Sequence, residues 1–388
     1  MGYVAVKGGR EAIEASIERL KYERLKRGTV LGVEQARAGL RGLMDQVMSE
    51  GSLYDEEAAA LAIKQAEGSP EEAVFLLRAY RSTLPRLHTS LPLRSEEMRI
   101  ERRISATFKD IPGGQILGAS YDYVHRLLDE SLREEQDADA RAWLEGWHDA
   151  VHRSGETGPK EPLGSLPKVL DYLRELGLIA MREDDEAEPR DVTKQTLSFP
   201  AHRSERLQVL TRGQTGTVTS LGYASLRGFG PMLHPTVGEL RVGRLPVVVP
   251  NPLTDSVHAE ADPSDGYYLG EVRLTEVETV VPIQVPKAEG RTGLSFDLGY
   301  GACFGQNETK AIAMSLLDQC LEHPDARYPT HDEEFVLMHV DSVESTGFIS
   351  HLKLPHYVTF QSELDAVRST WSDDASVSTE PDDAGDPE

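Results

Sequence analysis

Cysteine is almost missing from this sequence: 388 residues contain two, Cys303 and Cys320. Two cannot build the disulfide framework of a secreted scaffold or ligate an iron–sulfur cluster alone. No activating partner stands beside either, so both are expected in the core. Positive charge is also short, with 41 Lys plus Arg against 65 Asp plus Glu and a net charge of −24. A general binder of nucleic acid or of anionic membrane needs a dominant basic face, and this balance argues against both. No apolar run approaches the roughly 18 residues of a membrane span. The opening MGYVAVKGGREAIEA has no long apolar core behind its charges, so the expectation is a cytoplasmic chain without a secretory leader. Several chemical signatures are absent too. There is no G-x-x-x-x-G-K-[ST], Cys-x-x-Cys, G-x-S-x-G or H-E-x-x-H, which removes the stock phosphate cradle, redox pair, serine elbow and zinc helix.

What remains is globular composition, 39% hydrophobic and 27% charged, in a chain long enough for two or three domains. The reading is α+β, with a helical N-terminal half and a C-terminal half mixing antiparallel sheet with helix. Tyr3–Val6 is β-prone and precedes a helical pattern over Ala12–Lys26. Helical periodicity then runs from Val33 to about Leu84, where Ser69-Pro70-Glu71-Glu72 has cap, first-turn proline and dipole-complementing carboxylates in order. A helix is expected near Tyr121–Arg133 and a short one near Pro167–Leu176. Alternation over Leu240–Val249 and Tyr267–Val285 predicts antiparallel strands. Helices are expected over Asn307–Leu321, Glu333–Val343 and Val358–Arg368. The organisation expected is a helical domain over 1–151, a linker with a short helix and acidic loop over 152–191, an α+β domain over 192–371, and a disordered acidic tail over 372–388.

Three places invite a chemical reading. Five of the twelve histidines fall between positions 323 and 356, where an even spread would put about one. Among them His351 and His356 flank Pro355, which forbids a continuous helix, so only a bend brings the two rings together. As metal ligands they are an incomplete set. Asp332, Glu333, Glu334 and His339 form a second group, in which a carboxylate could orient an imidazole for acid–base work. The ordinary alternative is that these acids complement a helix dipole. The third place is basic: between Val74 and Asp110 there are eight positive and four negative side chains. Arg102, Arg103 and Lys109 lie beside the Gly113-Gly114 turn in the manner of an anion site, as do Lys7, Gly8 and Gly9 at a strand–helix junction. A solvated helix face and a simple turn explain these features about as well.

Six strings together resemble one family, PhnI of the bacterial carbon–phosphorus lyase system. They are YVAVKGGREAI at Tyr3–Ile13, EEAVFLLRAYRSTL at Glu71–Leu84, ERRISATFKDIPGGQILG at Glu101–Gly118, YDYVHRLLD at Tyr121–Asp129, DEEFVLMHVDSVESTGF at Asp332–Phe348, and SHLKLPHYVTFQSEL at Ser350–Leu364. The resemblance implies a subunit that works with PhnG, PhnH and PhnL. Together they transfer methylphosphonate to the anomeric carbon of ATP, releasing adenine and forming α-D-ribose 1-methylphosphonate 5-triphosphate. It further implies purine nucleosidase activity, a core assembly that includes PhnJ and a homodimer, and Mg²⁺ accompanying ATP. It also implies a zinc site shared with PhnJ, to which the matching residues here, His351 and His356, contribute. The alternative is a non-catalytic scaffold that docks PhnJ. A β-nucleotide becoming an α-product requires one inversion, so no covalent enzyme intermediate is needed, in keeping with the lack of an activated Ser or Cys. Asp122 and His125 join the 332–339 group as candidates for protonating the departing base.

Overall fold

The computed structural model describes residues 9–153, 166–180, 188–230, 234–251, 266–286 and 291–377. The expected strand at 3–6, the anion-site residues Lys7 and Gly8, most of the linker and part of the acidic loop lie outside them. The chain divides into two compact units, Met1–Ser342 and Val343–Glu388.

In the first unit, helices α1 (Gly9–Leu25), α2 (Val33–Gly39), α3 (Arg41–Gly51), α4 (Glu56–Gln65) and α5 (Pro70–Thr83) come first. Their starts follow the sequence. Asp55 accepts from the Ala58 amide, and Ser69 accepts from the Glu72 amide with Pro70 in the first turn. Strand β1 (Arg99–Ile104) follows, then α6 (Asp137–Arg153), α7 (Asp171–Glu175), α8 (Arg203–Arg212) and α9 (Thr215–Leu226). Strands β2 (Thr236–Val249), β3 (Tyr267–Pro286) and β4 (Thr292–Phe304) lead into α10 (Glu308–Glu322) and α11 (Glu333–His339). Helix α12 (Ser342–His351) bridges the division, and α13 (Tyr357–Val377) belongs to the second unit.

The four strands form one antiparallel sheet in the order β1-β2-β3-β4. Because side chains alternate along a strand, β2 turns Leu240 and Val242 to one face and Glu239 and Arg241 to the other. The apolar face carries Leu240, Val242, Val277 and Cys303 under α8, α9 and α10, whose Leu210, Val218, Met314 and Leu317 complete the main core. Helix α10 reaches the sheet because β4 has glycines there. A Cβ on Gly299 would lie 2.0 Å from the Ser315 carbonyl oxygen, and one on Gly301 2.1 Å from that of Ala311. The other face is charged and nevertheless buried. Arg103 pairs with Glu239 at 2.5 Å, Lys168 bridges Glu276 and Glu278 at 3.1 and 3.2 Å, Arg241 pairs with Glu276, and the Tyr300 hydroxyl donates to Glu276 at 3.0 Å. Buried charge is tolerable when each group has a partner, and here each named group does.

Several expectations change. β1 comes from the helical half yet pairs with β2, so the compact units do not part within 152–191. Residues 121–133 are turns and one 3-10 turn instead of a helix. Asp129 accepts from the Ser131 amide, and Arg126 has φ 56°, local arrangements that compete with the helix. The predicted helix over Glu333–Val343 breaks after His339, where the Val340 carbonyl accepts from Gln214 and Asp341 pairs with Arg78 at 2.6 Å. Asn307 stands at the start of α10 as expected, but its side chain donates to the Phe304 and Asp45 carbonyls and caps nothing. Finally α13 runs to Val377, so helix replaces the first part of the expected tail; residues 378–388 lie outside those described.

Candidate functional site

At the C-terminal end of α10, the sheet edge and the end of α9 enclose a cavity of about 470 Å³. Its walls are Leu226 of α9, Val281 and Ile283 of β3, Leu316 of α10, and Pro235 and Pro324. Asp297, His323 and His331 are among the polar side chains that line it. Asp297 lies on β4, turned to the helix-covered face and buried, and its main-chain carbonyl accepts from Gln319 Nε2 at 3.1 Å. His323 ends α10 and places Nε2 3.2 Å from Asp297 Oδ2. His331 closes a 3-10 turn, Pro329–His331, that is pinned by the Thr330 hydroxyl donating to the Phe229 carbonyl. The His331 ring is buried, and its Nδ1 is 2.5 Å from the His323 carbonyl. A carbonyl only accepts, so Nδ1 carries the proton; Nε2 is buried and has no hydrogen-bond partner among the described residues.

The carboxylates of this cavity are partly offset, because Glu322 pairs with Arg206 and Asp325 with Arg327. Asp297, Glu322 and Asp325 line it, and no lining residue among those described is Lys or Arg. Hydrogen bonds from Arg327 hold the Asp325 carboxyl at about 2. The carboxyl end of α10 adds its partial negative charge. Burial pushes the Cys320 thiol up to about 11, so this lining cysteine is a neutral wall and not a nucleophile. Such a hollow combines apolar walls with carboxylate and imidazole groups and offers no cationic side chain of its own among the described residues.

The residues predicted for acid–base work are elsewhere occupied. Asp332 caps α11, accepting from the Phe335 amide at 2.8 Å. Glu333 accepts from the Ala201 amide at 3.0 Å, and Glu334 is exposed. His339 places Nδ1 2.6 Å from the Phe335 carbonyl and rests its ring on Phe335. The expected carboxylate–imidazole pairing between Asp332 and His339 is therefore not made. The basic segment is also corrected. Arg103 is fully buried, and each of its three guanidinium nitrogens donates to an internal acceptor, Glu239 or the Pro112 and Pro167 carbonyls, so it is not open to an external anion. Arg102 pairs with Asp122 and Glu308 and donates to the Leu117 carbonyl. Lys109 and His125 are exposed, and Gly9 opens α1. Asp122 and Glu308, the partners of Arg102, line a smaller polar hollow of about 250 Å³ with Asp45, Arg41 and Arg126. Burial raises the Asp45 carboxyl there.

In the second unit, His351 ends α12 and His356 immediately precedes α13, so a tight turn through Pro355 separates them. Their ring centroids are 4.6 Å apart at an interplanar angle of 85°. His356 Nδ1 is 2.6 Å from the Leu354 carbonyl, which assigns its proton and leaves Nε2 to face a ligand. No group of three or more His, Cys, Asp or Glu suited to a metal exists among the described residues.

Asp297 was invisible beforehand. It lies in a glycine-rich run to which the sequence assigns no element, and nothing in its spacing points to His323. The histidine cluster was the usable signal, and it contains both His323 and His331.

A family model described as bacterial phosphonate metabolism protein (PhnI) matches residues 2–374. The putative C-P lyase subunit protein HtxH of Stutzerimonas stutzeri is 44% identical over 376 residues, covering 95% of this chain and 96% of that one. The alpha-D-ribose 1-methylphosphonate 5-triphosphate synthase subunit PhnI of Escherichia coli (strain K12) is 44% identical over 375 residues, 94% of this chain and 97% of its own length. Its namesake in Rhizobium meliloti (strain 1021) is 42% identical over 379 residues, 94% of each.

Proposed function

The chain belongs to the PhnI family, and from that premise we propose that it is a synthase subunit in phosphonate catabolism. With PhnG, PhnH and PhnL it transfers methylphosphonate to the anomeric carbon of ATP, releasing adenine and forming α-D-ribose 1-methylphosphonate 5-triphosphate. The observation that carries this reading is identity above 40% across nearly the whole length of two chains bearing that name.

The chemistry asks for a departing purine to be protonated while positive charge develops on the ribose. His323, oriented by Asp297, is the imidazole–carboxylate pair we assign to the proton transfer, in place of the 332–339 group. The carboxylates around it favour the developing cation. Arg102 and Arg103 being committed to internal partners, Mg²⁺ and partner subunits meet the triphosphate charge. A partnered state is also what the surface suits. Ile13, Ile17 and Leu20 on α1 and Trp143, Leu144 and Trp147 on α6 are each between 46% and 66% exposed, and runs of large apolar side chains in water mark interaction surfaces.

His351 and His356 fit a transition metal as two adjacent imidazole ligands, with PhnJ supplying the rest. Zinc so held would supply Lewis-acid or structural chemistry at the subunit junction.

The test is adenine release and product formation by the complex reconstituted from this chain and its partners, given ATP and methylphosphonate. Asp297→Asn should lower the rate at least 100-fold, the scale of a lost acid–base group, with the complex still assembled. Full activity in that variant would favour the scaffold reading, and no product from the wild-type complex would end the proposal.

A further inference from the structure

We propose that Arg81 and Arg212 bind a phosphate-type oxyanion, at a site separate from the cavity at the end of α10 and independent of the synthase reading. Both are half-buried, Arg81 in the last turn of α5 and Arg212 at the end of α8. Every other buried or half-buried arginine among the described residues is in ion-pair contact with a carboxylate; these two are not. Arg212 Nη1 donates to the Ser52 hydroxyl at 2.7 Å, and its Nε and Nη2 have no hydrogen-bond partner among the described residues. Acids stand nearby but are engaged elsewhere. Asp341 pairs with Arg78 at 2.6 Å, and Asp191 pairs with Arg86 at 2.9 Å while accepting from the Thr193 amide and hydroxyl. Arg78 is itself held by Asp341 and the Glu50 and Arg212 carbonyls. Four arginines thus share two acids, in a chain whose net charge is −24. Burial, with Arg78 and Arg81 adding like charge, brings Arg212 below the ordinary guanidinium value, to about 10. The missing counter-charge is external, and two neighbouring forks beside a hydroxyl suit the tetrahedral oxygens of a phosphate group. The Thr211 carbonyl accepts from Lys310, which fixes this place beside the first turn of α10. The cavity lies at the other end of that helix, about 20 Å along its axis. The basic stretch between Val74 and Asp110 therefore keeps an anion site, at Arg81 and not at Arg102 and Arg103.

The ligand chemistry is a dianionic phosphate group, free or carried on a nucleotide. Inorganic phosphate is titrated into the full chain, followed by calorimetry and by melting temperature. Ionic strength is held constant with chloride, which separates binding from general screening of the acidic surface. Binding should saturate, and the melting temperature should rise with it. Arg81→Gln and Arg212→Gln should each weaken phosphate about tenfold or more, whereas Arg227→Gln, an exposed change of the same charge, should not. In phosphate-free buffer Arg212→Gln should melt no lower than the wild type, because it removes a cation that has no counter-charge; a structural tie would melt lower. Circular dichroism establishes that each variant is folded. Competition then names the source: ATP that displaces phosphate supports a site for a nucleotide's phosphate, and ATP that leaves it bound supports a site for free phosphate. No saturable binding to the wild type overturns the proposal. So does undiminished binding in folded Arg81→Gln and Arg212→Gln, or an equal loss in Arg227→Gln. None of these readouts needs turnover, so their failure leaves the synthase reading to its own test.

Discussion

Gly301 leaves α10 no room to retreat: a methyl there would sit 2.1 Å from the Ala311 carbonyl oxygen, backbone that cannot swing aside. Gly301→Ala should therefore lower stability by about 1–3 kcal/mol or more, the range for overpacking a filled core, read as a reduced urea midpoint at unchanged m. Glu276 supplies a second residue-scale prediction. Burial alone would raise its carboxyl, but Arg241 and Lys168 override that and hold it at about 2, against an ordinary 4.5. A depressed carboxylate contributes stability that is complete above about 4.5 and is lost as pH falls from there toward 2, here about 3 kcal/mol. Urea titrations at pH 7, 4 and 3 should show that decline, and Lys168→Met should shift acid unfolding to higher pH. None of these residues announces itself in the sequence. The glycines on β4 have no element assigned from the sequence, and Arg103 reads as an anion ligand, because burial of a charge depends on partners far along the chain.

At the scale of elements, local chemistry decided what it could reach. Ser69-Pro70-Glu71-Glu72 set the start of α5, and strict alternation set β2 and β3. β1 escaped because Arg99-Ile100-Glu101-Arg102-Arg103-Ile104 carries more charge than a strand usually does; its arginines are neutralised by Glu239, Asp122 and Glu308 once the sheet forms. α8 and α9 also went unread. They gain definition from packing on α10, with Gly222 meeting Ala313. The apolar stripes of α1 and α6 belong to this scale as well. Trp143→Ser with Trp147→Ser should leave the melting temperature within about 1–2 °C, since exposed substitutions cost little. Retention of partner subunits in a pull-down should nevertheless fall severalfold.

At the scale of the whole molecule, the division between Ser342 and Val343 has a consequence. A chain ending at Ser342 should keep the cooperative unfolding of the first unit by calorimetry. If His351 and His356 hold zinc as proposed, mass spectrometry of the assembly built with that shortened chain should also show the metal lost. The paired substitution His351→Ala, His356→Ala should remove the same metal while leaving unfolding unchanged. The sequence by itself determined the acidic, cysteine-poor character, the mixed α+β class, the helix caps, the long strands and the family, all of which depend on composition, spacing or short contiguous strings. It also marked the histidine-rich stretch. Only the tertiary structure decided which histidines meet which carboxylates. It joined Asp297 on β4 to His323 at the end of α10, kept Asp332 from His339, and turned Arg102 and Arg103 from anion ligands into internal ties. The physical reason is that a site of this kind is made where a sheet face meets a helix end. The distances that matter there are set by packing between elements and by the pairing of buried charge, neither of which has a period or a spacing along the chain.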